Sequence, residues 1–174
     1  MKFDTFLSFI DSLQTIPLGG QKAQFKLAPA LRLDYDEVKI NAKQPKKAAV
    51  LSLFYPNKEN ETCILLTERA RYKGTHSTQI SFPGGKIDST DSNLEETALR
   101  ETFEEIGINK ESINIIREIT NVYIPPSNFL ATPFLAYSAV NPNIITNYEV
   151  AQTIEIKVSD LLDDTNISEV LMNT

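Results

Sequence analysis

The fold is decided by residues 81–108, which are SFPGGKIDSTDSNLEETALRETFEEIGI. This stretch predicts a glycine loop that leads into a helix. Ser92 followed three residues later by Glu95 is a capping-box pattern, and Asp91 adds negative charge near the positive end of the helix dipole. Gly107 is a natural end for the helix, because glycine adopts the left-handed conformation that closes many helices. We therefore predict a helix whose start and end are both encoded locally.

The predicted helix has an apolar half and an acidic strip. At about 100° per residue, six side chains fill one continuous half that should pack on a sheet: Leu94, Ala98, Leu99, Thr102, Phe103 and Ile106. Glu101, Glu104 and Glu105 are spaced i, i+3 and i+4, so they project from one narrow strip beside that half. Such a run is most often a solvated acidic surface. The alternative is a cation site, and oxygen-only ligands suit Mg²⁺ or Mn²⁺ rather than zinc.

The spacing of residues 85–108 favours the cation site. Their pattern, G-x5-D-x8-R-E-x-x-E-E-x-G-I, resembles the Nudix box, the loop–helix signature of Nudix hydrolases. Asp91 stands where the general pattern has glutamate, one extra residue precedes Arg100, and Thr102 stands where an aliphatic residue is usual. These variations are similar to those of the coenzyme A pyrophosphatases, which have F-P-G-G-x-x-D-x-x-D before A-L-R-E-T-x-E-E-I-G. The two matching segments are residues 82–91 and 98–107.

The resemblance implies an α/β fold, the Nudix-type α/β/α sandwich with a mixed β-sheet between helices. We expect one domain over residues 1–174, in which residues 1–20 carry an amphipathic N-terminal helix and residues 81–108 form the loop and helix of the box. The apolar patterns of residues 48–55 and 61–68 predict two strands joined by the turn PNKEN. The first of these is nearly all apolar, which is typical of a central strand buried on both faces.

The rest of the chain predicts shorter elements. Residues 21–47 have no clear periodicity, so we expect irregular structure there. Beyond the box, residues 112–124, 131–140 and 154–158 have strand patterns, residues 125–129 form a rigid proline loop, and residues 159–162 begin a short helix.

The resemblance also assigns roles to the box. Glu101 and Glu105 would hold the first Mg²⁺ or Mn²⁺ ion with help from the Gly85 carbonyl, and Glu104 would join a second ion or orient the attacking water. The Gly84–Gly85 pair would let the backbone come close to metal and phosphate, which a side chain would obstruct.

Three cations lie just ahead of the glycine loop. Arg69, Arg71 and Lys73 would bind phosphate, since arginine offers a planar fork and lysine a point charge. The segment is similar to the pattern L-L-T-x-R-[SA]-x3-R-x3-G-x3-F-P-G-G of coenzyme A pyrophosphatases, with Gly74 in place of the second arginine and Thr78 in place of the glycine. The alternative for Arg69 is that it neutralises the helix glutamates.

Two further charged residues receive predicted roles. We interpret Arg100 as a structural ion pair that holds the helix against the loop. In Nudix enzymes the general base comes from the box or from a later loop, and Glu149 is our distal candidate for that base.

Composition bounds the classes of function. The chain has 174 residues and a formal net charge of −6, which disfavours a nucleic-acid surface. Cys63 is the only cysteine, which excludes an internal disulfide, and its apolar surroundings in sequence predict an inert buried thiol. No apolar stretch approaches the ~18 residues of a membrane span, and no signal-peptide pattern opens the chain, so we expect a cytoplasmic protein without a membrane partner. We expect a monomer or a homodimer.

Together these features predict a metal-dependent hydrolase of phosphoanhydrides. The predicted substrate is the small molecule coenzyme A or acyl-CoA, split at its pyrophosphate into 3′,5′-ADP and (acyl-)4′-phosphopantetheine. The alternative substrate is ADP-ribose or another nucleoside diphosphate derivative, for which Gly74 and Thr78 leave room. Two other hypotheses are a non-catalytic Nudix-fold nucleotide-binding module, against which the three intact glutamates argue, and an acidic helix that holds no metal.

Overall fold

A computed structural model describes residues 1–26, 28, 34–70 and 79–168 of the chain. Within them, eight strands form one mixed sheet. The strands are β1 Lys46–Pro56, β2 Thr62–Arg69, β3 Ile80–Ser81, β4 Gly84–Lys86, β5 Asn114–Glu118, β6 Val122–Ile124, β7 Phe129–Tyr137 and β8 Val150–Lys157. The α-helices of the same part of the chain are α1 Phe3–Leu7, α2 Ile10–Thr15, α3 Gly20–Gln24, α4 Glu37–Ala42, α5 Leu94–Ile106 and α6 Val158–Leu161.

β1 organises the sheet. It lies between β2, which is antiparallel to it, and β7, which is parallel, in the order β3-β2-β1-β7-β5. β6 pairs with β7 and β8 pairs with β2, both antiparallel. β4 pairs with β1 and sets Gly85 opposite Ala49. This pairing brings Gly84 and Gly85 of β4, called the glycine turn below, to the middle of the sheet ahead of α5.

Two apolar clusters pack on opposite faces of β1, because successive side chains of a strand point to opposite faces of the sheet. Leu53 belongs to the larger cluster, together with Ile106 of α5. Phe54 points the other way and packs against Phe3 and Phe6 of α1, with 5.0 Å between the ring centroids of Phe6 and Phe54. The predicted α/β class, with a mixed sheet between helices, is confirmed, and β1 is the central strand that its sequence predicted.

The predicted N-terminal helix is two helices rather than one. α1 ends at Leu7 and α2 begins at Ile10, and the Ser8 hydroxyl donates to the Thr5 carbonyl at 2.7 Å near the break. The break lets α1 pack beside β1 while α2 lies along β5, where Arg117 donates to the Ile16 carbonyl at 2.7 Å. The prediction of a continuous helix was wrong. Apolar periodicity shows which residues face a core, but it does not show that two parts of the segment pack on different strands.

Two other predictions required correction. The segment of residues 21–47 contains α4 and all of α3 except its first residue, and α4 is capped by Asp36, which accepts from the Lys39 N–H at 2.8 Å. The single strand predicted over residues 112–124 is divided into β5 and β6, which pair with different parts of β7. Pro133 of β7 lies between those two parts and has no N–H to donate to a ladder.

The start of α5 is one residue later than the predicted capping box. Asn93 is the N-cap and accepts from the Glu96 N–H at 2.8 Å, so the Ser92–Glu95 box is wrong. The Glu96 carboxylate instead accepts from the N–H of Ser92 at 2.8 Å and from its hydroxyl at 2.6 Å. The predicted end is confirmed, since Gly107 has φ of 73° and donates its N–H to the last turn of the helix.

The buried face of α5 is rotated relative to the predicted one. Phe103 is 52% exposed, whereas Thr97 and Glu105 are buried. α5 packs against β4 as well as β1, so the side of the helix that carries Glu105 turns inward. Hydropathy alone assigns a glutamate to solvent and therefore misplaces this face.

Cys63 is a buried free thiol, as predicted, and burial raises the pKa of this thiol to about 11.

Over the residues that the structure describes, every helix is too short or too polar to cross a membrane.

Candidate functional site

The glycine turn lies directly against the acidic helix. β4 carries Gly84 and Gly85 alongside β1, and α5 packs on both strands. A Cβ atom placed on Gly85 would lie 2.5 and 2.6 Å from the two carboxylate oxygens of Glu101, closer than real Cβ contacts allow. Position 85 therefore has to be glycine for the backbone to approach this carboxylate so closely.

Glu105 is the buried acid of the site. It is 7% exposed, and its Oε2 accepts a hydrogen bond from the Gly84 N–H at 3.1 Å. Burial raises the pKa of Glu105 to about 7, an effect that the hydrogen bond from Gly84 offsets only in part and that the charge of Glu101 reinforces. Burial also raises the pKa of Glu101. Ionising both groups therefore concentrates unfavourable negative charge at the turn.

The raised pKa of Glu105 predicts how the stability of the metal-free protein depends on pH. A carboxyl whose pKa is higher in the folded state binds its proton more tightly when folded, so stability is gained as pH falls from 8 towards 5. We expect Glu105 to raise the free energy of unfolding by up to about 3 kcal/mol over that range. The measurement is urea denaturation with a chelator present, at pH 8, 7, 6 and 5.

Glu105→Gln is the matched variant for this measurement, because glutamine keeps an oxygen for the Gly84 N–H and cannot ionise. Its stability should depend less on pH than that of the wild type, with the remaining slope due partly to Glu101. An equal slope in the two proteins would show that Glu105 is not the titrating group.

Arg100 ties the helix to the loop that precedes it. Its Nε and Nη2 donate to the two carboxylate oxygens of Asp91 at 2.8 and 2.9 Å, and Nη2 also donates to the Lys86 carbonyl at 3.2 Å. The Asp91 side chain is 2% exposed and accepts further bonds from the Thr97 hydroxyl and the Asp88 N–H. The bonds from Arg100 hold the pKa of Asp91 well below its usual range. The pair therefore fixes the loop, β4 and α5 to one another.

Asp91→Asn is expected to lower the free energy of unfolding by about 2–4 kcal/mol, because it removes the charge of the most buried of the three carboxylates that Arg100 contacts. Chemical denaturation at pH 7 measures this change. Asp11→Asn, at an exposed acid in the first turn of α2, is the control and should change stability by less than about 0.5 kcal/mol. A loss for Asp91→Asn as small as that of the control would show that the pair does not stabilise the fold.

The three predicted acids occupy different environments. Arg100 Nη1 donates to Glu101 Oε1 at 2.9 Å and lies 3.3 Å from the carboxylate of Glu104, whose side chain is 53% exposed. The Glu105 carboxylate instead accepts from the Gly84 N–H. Within the described ranges, no three His, Cys, Asp or Glu side chains converge as a group that could hold a metal ion. Arg100 contacts the carboxylates of Glu101 and Glu104, whereas the carboxylate of Glu105 is bonded to Gly84.

The donors around Gly85 nevertheless fit a hard divalent cation. The carboxylates of Glu101 and Glu105 and the carbonyl of Gly85 form an all-oxygen set, which Mg²⁺ and Mn²⁺ prefer. The cradle at Gly85, which a Cβ atom would fill, gives an ion and its ligands access to the backbone. A cation here would also offset the charge that burial makes costly on Glu101 and Glu105.

A second pair of predicted residues meets at the end of β2. Arg69 Nη2 lies 3.4 Å from Glu149 Oε2, and both side chains are partly exposed. The Ala70 N–H donates to the Glu149 carbonyl at 2.7 Å, which fixes the backbone of the two segments together. Arg69 favours the ionised form of Glu105, and Glu149 opposes it, so both charges act on the buried acid. The structure thus brings Arg69 and Glu149 to the carboxylate cluster.

The other predicted cations cannot be placed. Arg71 and Lys73, like Gly74 and Thr78, lie outside the described residues.

Two residues hold the site together although neither of them was assigned that role from the sequence. Asp91 was interpreted only as a charge near the helix start, although it is the main partner of Arg100. Asn147 bonds to the backbone of both Glu105 and Glu149. The signal for Asp91 was its place in the box pattern, whereas no local signal marks Asn147, because its partner Glu105 is 42 positions away in sequence.

Comparison with known proteins places this geometry in context. The sequence profile of the NUDIX domain matches residues 45–166. Nudix hydrolase 3 of Caenorhabditis elegans is 34% identical over 110 residues, which cover 61% of this chain and 45% of that protein. A peroxisomal coenzyme A diphosphatase of the same organism, ndx-8, is 28% identical over 143 residues, or 81% of this chain and 61% of that protein. The chain therefore spans about half the length of the relatives it matches.

A solved structure shares the fold at lower identity. The crystal structure of a Nudix hydrolase from M. smegmatis, RenU, superposes with a TM-score of 0.53 at 22% identity, over 68% of this chain and 74% of that one. At this identity the likeness extends to the fold alone.

Proposed function

The chain belongs to the NUDIX domain family, and from this premise we propose that it is a metal-dependent hydrolase that cleaves the pyrophosphate of coenzyme A or acyl-CoA. The observation that carries the proposal is the pair of carboxylates, the buried Glu105 and the partly buried Glu101, held against Gly84 and Gly85. The choice of coenzyme A rests on the residues around the box that resemble the coenzyme A pyrophosphatases and on the similarity to ndx-8.

The acids of α5 have distinct roles in this proposal. Nudix hydrolases generally use divalent metal ions. Glu101, Glu105 and the Gly85 carbonyl would hold Mg²⁺ or Mn²⁺, and Glu104, on the exposed side of Arg100, would join a second ion. When bound, a divalent ion neutralises phosphate charge and lowers the pKa of water. The ion pair of Arg100 with Asp91 holds α5, and therefore its acids, in place against Gly84 and Gly85.

The remaining groups bind the substrate and move a proton. Arg69 binds a phosphate oxygen of the substrate, for which its planar fork is suited. Glu149 accepts a proton from the attacking water at a carboxylate oxygen. The water oxygen bonds to one phosphorus of the anhydride, the bond from that phosphorus to the bridging oxygen breaks, and the bridging oxygen leaves on the other phosphate. Each product keeps one phosphate of the cleaved pyrophosphate: 3′,5′-ADP carries it at the 5′ position beside the 3′-phosphate of coenzyme A, and 4′-phosphopantetheine carries the other.

The pairing of Arg69 with Glu149 has a consequence for this scheme. A substrate phosphate that takes the Arg69 guanidinium competes with Glu149 for it. Binding of the phosphate would therefore release the Glu149 carboxylate from its ion pair at the moment when a proton acceptor is needed.

The test is a comparison of turnover with coenzyme A and with ADP-ribose, each with Mn²⁺ present. We expect the higher kcat/KM with coenzyme A, and mass spectrometry should identify 3′,5′-ADP and 4′-phosphopantetheine as products. A strong preference for ADP-ribose would replace coenzyme A by the alternative substrate class, for which the departures at Gly74 and Thr78 leave room.

Metal binding has a separate test that does not depend on the substrate. A ligand that binds only the folded state stabilises it, by about 2.7 kcal/mol when its concentration is 100 times Kd. We therefore expect millimolar Mn²⁺ or Mg²⁺ to raise Tm by several degrees in the wild type and by less in Glu105→Gln. A Tm that does not respond to either ion would favour the hypothesis of an acidic helix without metal.

A further inference from the structure

The C-terminal end of α5 is bonded to the segment that carries Glu149. The last carbonyls of a helix have no partner within it and must be satisfied elsewhere. Here the Glu105 carbonyl accepts from the Asn147 N–H at 3.0 Å, and the Ile106 carbonyl accepts from the Ile145 N–H at 3.0 Å. The residue that supplies the buried carboxylate is therefore bonded through its own backbone to Asn147.

Asn147 is also bonded to Glu149. Its side-chain Oδ1 accepts from the Glu149 N–H at 2.8 Å, and its carbonyl lies 3.4 Å from the Val150 N–H that donates to it. One residue thus connects the backbone of Glu105 with the backbone of Glu149. No other described residue is bonded to the backbone of both acids in this way.

The opposite side of Glu149 is fixed independently. Its carbonyl accepts from the Ala70 N–H at 2.7 Å, and its carboxylate pairs with Arg69. Tyr148, between Asn147 and Glu149, is 87% exposed, so packing of that ring does little to hold the turn. The orientation of Glu149 therefore depends on these polar contacts, and on the bond that its N–H donates to Asn147 Oδ1, more than on apolar contacts.

We infer that Asn147 is a positioning residue that sets Glu149 against the Glu101–Glu105 carboxylate pair. The inference rests on the proposed function, in which Glu149 accepts the proton of the attacking water. The geometry predicts a specific kinetic effect. Loss of the Asn147 side chain should lower kcat more than it raises KM, because the lost bond fixes the Glu149 backbone, whereas Arg69, the proposed phosphate-binding group, contacts Glu149 only through its carboxylate.

The first experiment compares Asn147→Ala with Asn147→Asp. Alanine removes the acceptor for the Glu149 N–H, and aspartate keeps an oxygen there. We expect kcat to fall by about 10- to 100-fold in Asn147→Ala, since a misplacement of about 1 Å can cost 100-fold. Asn147→Asp should recover most of the loss. Thr146→Ala, at an exposed neighbour in the same segment, is the control and should match the wild type.

The second experiment is a double-mutant cycle with Glu149→Gln. If Asn147 acts only through Glu149, Asn147→Ala should have no further effect on kcat once Glu149 has been replaced. An equal fold-loss in both backgrounds, or an unchanged kcat in the single variant Asn147→Ala, would overturn the inference.

A third measurement separates the inference from the proposed function. Amide hydrogen exchange of Glu149 in the protein without substrate should be faster in Asn147→Ala than in the wild type and should be slowed again in Asn147→Asp. Unchanged exchange would overturn the inference whatever the activity. Absence of all phosphoanhydride hydrolysis by the wild type would instead overturn the proposed function.

Discussion

Glu101→Gln is expected to lower kcat for phosphoanhydride hydrolysis by about 10³-fold, the scale on which loss of one electrostatic contact to a transition state is felt. Glutamine has the same shape and keeps an oxygen for Arg100, which lies 2.9 Å from Glu101 in the wild type. The substitution therefore removes one negative charge from the proposed ion site and little else. Steady-state assays with saturating Mn²⁺ measure the loss, and circular dichroism with thermal melting verifies the fold.

Glu95→Gln is the matched control for this variant. It makes the same chemical change in the first turn of the same helix, at an exposed side chain away from the glycine turn. Its kcat should remain within about 2-fold of the wild type, as is usual for exposed substitutions away from a site. Full activity in both Glu101→Gln and Glu105→Gln would remove the assignment of these two acids to the metal.

Gly85→Ala is expected to lower kcat by about 10²-fold with little change in Tm. A small displacement of a catalytic group lowers the rate strongly, whereas it changes the free energy of unfolding little. The added Cβ would meet the carboxylate of Glu101. That carboxylate is the far end of a flexible side chain, which can move away at small cost to the fold. The same movement takes it away from Glu105 and from the Gly85 carbonyl, so the proposed ion site loses its arrangement.

Gly84→Ala should behave in the opposite manner. A Cβ at this position would meet the Ala49 carbonyl oxygen and would lie 2.6 Å from the Val50 Cα, both in the backbone of β1. Gly84 also has φ of 149°, a conformation that other residues rarely adopt. We expect a loss of about 2–5 kcal/mol in the free energy of unfolding.

The two glycine variants are compared by thermal melting and by activity at a temperature at which both remain folded. Equal losses of Tm in Gly84→Ala and Gly85→Ala would show that Glu101 cannot move aside. In that case the close approach of Glu101 to the Gly85 backbone would serve packing of the fold rather than ion binding.

Local patterns predicted the elements of this fold well where a single surface decides them. The nearly continuous apolar run of β1 predicted a central strand, and Gly107 predicted the end of α5 through its left-handed conformation. Predictions failed where two surfaces compete. The N-terminal helix breaks so that its halves can pack on different strands, and the strand predicted over residues 112–124 divides beside Pro133.

The candidate site shows the same division. Spacing alone placed Glu101, Glu104 and Glu105 on one strip, and the resemblance to the Nudix box gave them a common role. In the structure they differ: Glu105 is buried against Gly84, Glu101 lies between Arg100 and the Gly85 backbone, and Glu104 is exposed. The pKa of Glu105 is raised by burial, and the side of α5 that carries Glu105 is buried where the helix packs against β4 as well as β1.

The sequence by itself determined the family, the central strand, the end of the box helix and the identity of the acids, because each depends on residues close together along the chain. Only the tertiary structure decided which acid is buried, that Asp91 anchors Arg100, and that Asn147 connects Glu105 with Glu149. These contacts join segments brought together by the pairing of β4 with β1 and of β2 with β8. Burial and hydrogen bonding depend on such pairings between distant segments, and the spacing of residues within one segment does not predict these pairings.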